Sequence, residues 1–201
     1  MKDNNNLRSI LLCTALVLFA VMTRVINVQA GYGLNFACVG AIGIFSGAIL
    51  KNKVQAYILP LAAYLLSDLY IQFVAHKMGF YGMSQYFVYG AMMLVVLLGT
   101  KMGQPKALKV LGFSIAGSAI FWIVSNFGVW VANMTMSTTN PIYEDGLTLG
   151  FTYWRALPFY NEFGRNLFLG TFVSDLAFSS LLFGAYALLK NKVASPKAIA
   201  G

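Results

Sequence analysis

Charge is what this sequence has least of. Its 201 residues include 14 Lys and Arg and six Asp and Glu, 10% in all, against about 25% in ordinary soluble domains. Histidine occurs once, as His76, and cysteine twice, as Cys13 and Cys38. Both cysteines sit in apolar segments and read as small buried hydrophobes, so no disulfide or metal framework is expected. A serine–histidine dyad of the intramembrane-protease kind fails on position. His76 closes the outer end of one apolar segment and Ser114 lies near the inner end of another, on opposite sides of a hydrocarbon core about 30 Å thick. Thr148-Leu149-Gly150-Phe151 matches a potassium filter only in part, and such a filter needs four longer carbonyl loops. No Gly-Lys-Ser/Thr loop is present, which excludes ATP hydrolysis by that route. Neither enzymatic activity nor a cofactor is expected.

Apolar residues fill the space, at 59% of the chain. They come in unbroken blocks of about 15–22 residues, the length of a membrane-crossing helix, where a β-barrel would show alternating segments of about ten. The expected fold is all-α, a single membrane domain over 1–201. Its six spans are Arg8–Val28, Asn35–Leu50, Val54–Ala75, Ser84–Thr100, Lys109–Ala132 and Asn166–Leu189. The net charge of +8 does not indicate nucleic acid, because the basic residues are scattered through short loops, where they set orientation. With the N-terminus inside, Lys2, Arg8, Lys51, Lys53, Lys101, Lys106, Lys109, Lys190, Lys192 and Lys197 face the cytoplasm. Arg24, Lys77, Arg155 and Arg165 face outward. Ten against four predicts both termini inside. The first span also has the form of a signal peptide ending at Val28-Gln29-Ala30. The long run and Arg24 within it favour a retained helix.

Ionisable residues inside a bilayer are costly and mark candidate sites. Asp68 and Asp175 qualify, about 12 and 14 Å below the outer surface. Arg24, Asn35, Ser125 and Asn126 share this outer half, while the inner half offers Ser46, Ser114 and Ser118. The asymmetry predicts an outward-facing polar pocket, with Trp130 as a lining residue or an interface anchor. The structural alternative is that Asp68 pairs with Arg24 or another cation and that Asn126 bridges helices. Leu66-Ser67-Asp68-Leu69 and Val173-Ser174-Asp175-Leu176 also hint at an inverted internal repeat.

The connector 133–165 is too apolar for a solvated loop. It is expected to fold over the bundle mouth, bent at Pro158, with Arg155 facing an anionic ligand group or an aspartate. Gly43-x-x-x-Gly47, Ala37-x-x-x-Ala41 and Gly112-x-x-x-Ala116 are spacings that let helices approach closely, chiefly within the chain.

Several blocks together resemble a bacterial membrane family of unknown function. They are Asn35-Phe36, Pro60 leading to Leu66-Ser67-Asp68-Leu69, Ser125-Asn126-Phe127-Gly128-Val129-Trp130, Gly146-Leu147 and Ala156-Leu157-Pro158-Phe159. The resemblance spans Arg24 to Leu189. That family is similar in layout to the S components of energy-coupling-factor transporters, six-helix proteins whose outward pocket is covered by odd-numbered loops. The resemblance implies a small-molecule uptake subunit of the bacterial inner membrane with transmembrane and ATPase partners. Its substrate contacts would be Asp68, Asn126, Asp175, Arg155, Arg24, Asn35, Ser125 and Trp130. The first span lacks the Ala-x-x-x-Ala pair that S components often carry there.

Overall fold

A computed structural model describes residues 2–30, 37–156 and 170–194, with side chains described at 11–29, 37–156 and 170–188. Within these residues the chain is all-helical, with no strand. The helices are α1 (Lys2–Ala30), α2 (Val39–Ile49), α3 (Lys53–Phe73), α4 (Met83–Thr100), α5 (Ala107–Thr135), α6 (Leu149–Arg155) and α7 (Thr171–Ala194). α1, α3, α4, α5 and α7 are long and apolar enough to cross a membrane. The second expected span departs from this pattern. α2 has 11 residues, about 16 Å of helix, roughly half the hydrocarbon thickness.

α2 occupies the centre. It touches α1, α3, α4, α5 and α7. Those five form a ring through the contacts α1–α3, α3–α4, α4–α5 and α5–α7, closed by an edge-on contact of Phe19 with Phe178 at 5.7 Å. Eight residues of α2 are buried, from Val39 to Gly47. The ring turns apolar side chains outward instead, among them Leu18, Leu65, Leu97, Leu111 and Leu181. Exposed apolar surface on every long helix is what a lipid-facing bundle requires.

Small residues make the central position possible. A Cβ on Gly47 would meet the Val96 carbonyl, and one on Gly99 would meet the Ile44 carbonyl. Backbone therefore lies on backbone, from both sides. Gly43 abuts Met92 and Val95, and Gly117 of α5 receives the tip of Ile44. The Gly43–Gly47 spacing thus serves packing within the chain. Gly112 has nothing within 4 Å, so the spacing on α5 does not. The two Ser-Asp segments lie on α3 and α7, but α1–α3 contact has no counterpart between α4 and α7.

α2 and α3 are tied by a bond that proline makes necessary. Pro60 lies inside α3 and has no N–H to give the Ala56 carbonyl, its partner four residues back. Ser46 of α2 supplies the missing donor, its Oγ 2.9 Å from Ala56 O and 3.1 Å from the Gly43 carbonyl of its own helix. Both residues of this bond are buried. Lys53 donates to the Gly47 and Leu50 carbonyls at 3.0 and 3.1 Å, placing a cation at the C-terminal end of α2. Ser46→Ala is expected to destabilise the protein by about 1–3 kcal/mol by orphaning that carbonyl. Adding Pro60→Ala is expected to restore much of the loss, because residue 60 then provides its own N–H. Thermal unfolding of the two variants in detergent measures this. A Ser46→Ala loss that Pro60→Ala leaves untouched would count against the bond.

Candidate functional site

Asp68 is the centre of the first polar cluster. It projects from α3 with no exposure. Arg24 of α1 approaches its Oδ1 at 2.7 Å as an ion pair. Its Oδ2 accepts from Gln85 Nε2 at 2.5 Å and from the Tyr89 hydroxyl at 3.2 Å. Gln85 and Tyr89 are four residues apart and share one face of α4. One carboxylate thus joins three helices. Breaking such a pair is costly because the surviving charge is left buried.

Arg24 is anchored through one nitrogen. Nη1 serves Asp68, donates to the Tyr64 carbonyl at 3.1 Å and bonds the Ser67 hydroxyl. The guanidinium lies 4.1 Å from the centre of the Tyr64 ring, a cation–π geometry. Nε and Nη2 have no partner among the described residues, and the side chain keeps 14% exposure. Tyr64 continues the aromatic wall, stacked on Phe121 and edge-on to Tyr89, each at 6.3 Å. Gly79, in the turn after α3, packs against the Asp68 carbonyl, and its amide donates to Gln72 Oε1 at 3.0 Å. The turn therefore packs on the backbone of Asp68, while Arg24, Tyr64 and Tyr89 keep partial exposure.

Asp175 sits in a different setting. It comes from α7, is 2% exposed, and accepts from Ser118 of α5 at 2.6 Å. Its carboxylate fills the space that a Cβ on Gly40 would take and lies beside the Ala41 amide in the first turn of α2. No cationic side chain pairs with it among the described residues. Tyr64 stands within electrostatic range of both aspartates, but among the described residues no hydrogen bond joins the two clusters.

The remaining expected contacts are dispersed. Ser125 and Asn126 bond back to their own helix, to the Phe121 and Trp122 carbonyls at 2.6 and 2.8 Å. Trp130 is half-buried and leans on Phe127 at 5.7 Å. Asn35 and Pro158 lie outside the described residues. Arg155 pairs with Glu144 at 2.8 Å and lies 5.5 Å from the Phe151 ring. Asn133, at the end of α5, clamps Glu144 through both amide atoms at 2.8 Å. Tyr153 of α6 donates to the Ile123 carbonyl at 2.9 Å and packs on Trp122 at 5.1 Å. The described part of the connector therefore returns along the flank of α5.

Gln85, Tyr89, Tyr64 and Ser118 were not among the expected site residues. The i, i+4 pairing of Gln85 with Tyr89 inside an apolar span was the available signal for two of them. Ser118 had been assigned to the inner half. Counted along α5 it lies 17 residues from Thr135, about 26 Å from that end. It still reaches Asp175, because α5 is longer than a membrane is thick.

Asp68→Ala is expected to cost about 3–5 kcal/mol by stranding the Arg24 charge, and Gln85→Ala about 1.5–3 kcal/mol for a bond to a charged group. Melting temperatures in detergent rank the two. Equal, small losses would show that the ion pair does not hold α1 to α3.

No curated protein and no solved structure matches the chain. A family model, DUF6580, described as a family of unknown function, matches residues 4–198. With nearly its whole length matched, the chain belongs to that family.

Proposed function

We propose that the protein is a small-molecule binding or uptake subunit of a bacterial inner membrane, without enzymatic activity, oriented with both termini inside. The observation that carries this reading is the state of Arg24. Among the described residues its hydrogen bonds and ion pair run through Nη1, and the side chain keeps 14% exposure beside an aromatic wall. The rest of the planar guanidinium suits a carboxylate, phosphate or carbonyl group of a ligand. The ligand would approach from outside, past the connector 133–165, whose described part lies along the flank of α5. Asn35, Asn126, Ser125, Trp130 and Arg155 would form its surroundings rather than its anchor. The sequence layout, six apolar segments with a long fifth connector, resembles that of energy-coupling-factor S components. By that analogy a transmembrane partner and an ATPase would supply the energy, since the chain has no nucleotide loop of its own.

A second reading has its own support. Both oxygens of Asp68 are engaged by Arg24, Gln85 and Tyr89, so the cluster also serves as a pin joining α1, α3 and α4. A structural or assembly protein needs no more than that.

A thermal-shift screen of vitamins and small metabolites on the purified full-length chain separates the two. A ligand at 100 times its Kd is expected to stabilise the protein by about 2.7 kcal/mol. The shift should vanish in Arg24→Gln while Leu111→Ala, on the outward face of α5, retains it. If no compound shifts the wild type, and Arg24→Gln only lowers its melting temperature, the binding reading is wrong and the structural one stands.

A further inference from the structure

The seam between α5 and α7 holds a second group of buried polar atoms, apart from the Arg24–Asp68 cluster. Ser118 meets Asp175 across it. The two helices run antiparallel here, so one turn further along each places Ser114 level with Ser179. All four residues are at most 2% exposed. Three of their oxygens have no hydrogen-bond partner among the described residues: Asp175 Oδ1, Ser114 Oγ and Ser179 Oγ.

Other serines of the bundle close their hydroxyls on a carbonyl. Ser125 of α5 bonds the Phe121 carbonyl and Ser174 of α7 bonds the Thr171 carbonyl. Ser46 and Ser67 are satisfied in the same way or across helices. Among the buried serines of the described residues, Ser114 and Ser179 are the two whose hydroxyls lack a partner. Buried polar atoms of this kind call for a guest.

Charge narrows the guest. Asp68 has Arg24, whereas Asp175 has no cationic side chain beside it, only the Ala41 amide at the first turn of α2. A lone carboxylate in an apolar interior is strongly disfavoured. A proton would neutralise it but would leave Ser114 and Ser179 as they are. A small cation with residual water meets both needs. The donor set is all oxygen, which selects a hard ion. One carboxylate supplies one negative charge, which matches a monovalent ion. Among the described residues no three His, Cys, Asp or Glu side chains gather, as a transition metal would ask.

We propose that the seam between α2, α5 and α7 binds a hydrated sodium-sized cation, held by Asp175 and the hydroxyls of Ser118, Ser114 and Ser179. The site stands independently of the ligand reading at Arg24. It gives Asp175 a role distinct from substrate contact.

The test is the melting temperature of the full-length protein in detergent, followed by tryptophan fluorescence. Sodium chloride is titrated against choline chloride at fixed pH and ionic strength. The wild type is expected to show a saturable rise with sodium. Asp175→Asn should abolish it, and Ser114→Ala or Ser179→Ala should weaken the apparent sodium affinity about tenfold. The serine variants decide the matter even if Asp175→Asn does not fold. Removing a hydroxyl that merely lacks a partner leaves the sodium response unchanged, and that result overturns the proposal. So does a flat wild-type titration. Stabilisation by acid alone, with no response to sodium, overturns it in favour of a proton.

Discussion

The close approach of α2 to α4 is the contact on which the rest of this bundle depends. Gly47 faces the Val96 carbonyl, Gly99 faces the Ile44 carbonyl, and neither position has room for a methyl group. Only with side chains absent from both surfaces does an 11-residue helix fit inside a ring of five longer ones. In a lipid environment little hydrophobic force draws helices together, so packing and hydrogen bonding carry the association. The glycines provide the packing. Once α2 is central, its first turn lies beside Asp175 and its Ser46 reaches α3. A bulkier α2 would move the ring outward and separate both pairs.

The second constraint is the accounting of polar groups away from water. Pro60 removes one backbone donor, and a serine on the neighbouring helix replaces it. Asp68 brings a charge, and Arg24, Gln85 and Tyr89 absorb it. Each repair crosses from one helix to another, so each also fixes the order of helices around the ring. Asp175 is treated differently. Ser118 gives one hydrogen bond and no side chain brings a positive charge. The two aspartates look alike in sequence, each preceded by a serine, yet one is internally neutralised and the other is not.

Much of this was legible in the sequence. Long apolar blocks are set by the thickness of a bilayer, which is why five helices reach spanning length. Arg24 and Asp68 were visible as rare charges in the outer half, and their pairing follows from the cost of leaving either alone. The small-residue spacing of α2 was visible as well. Its central place was not, because periodicity reports that a face is small but not which neighbours it meets. Ser125 and Asn126 looked like pocket residues for the same reason. Composition shows a polar side chain inside a span, while only geometry shows that it bonds to the carbonyl one turn back. Gln85 and Tyr89 were hidden because uncharged polar residues near a span's end are ordinary. Ser118 was hidden by depth counting on a helix longer than the membrane.

The central claim is a buried α2 within a lipid-facing ring, and a membrane-soluble photoreactive probe tests it most directly. The protein is reconstituted in lipid vesicles, labelled, and mapped by mass spectrometry. Labelling is expected on the outward faces of α1, α3, α4, α5 and α7, at positions such as Leu18, Leu65, Leu97, Leu111 and Leu181. The stretch from Val39 to Gly47 should remain unmarked. Labelling of α2 at the level of its neighbours would contradict the account.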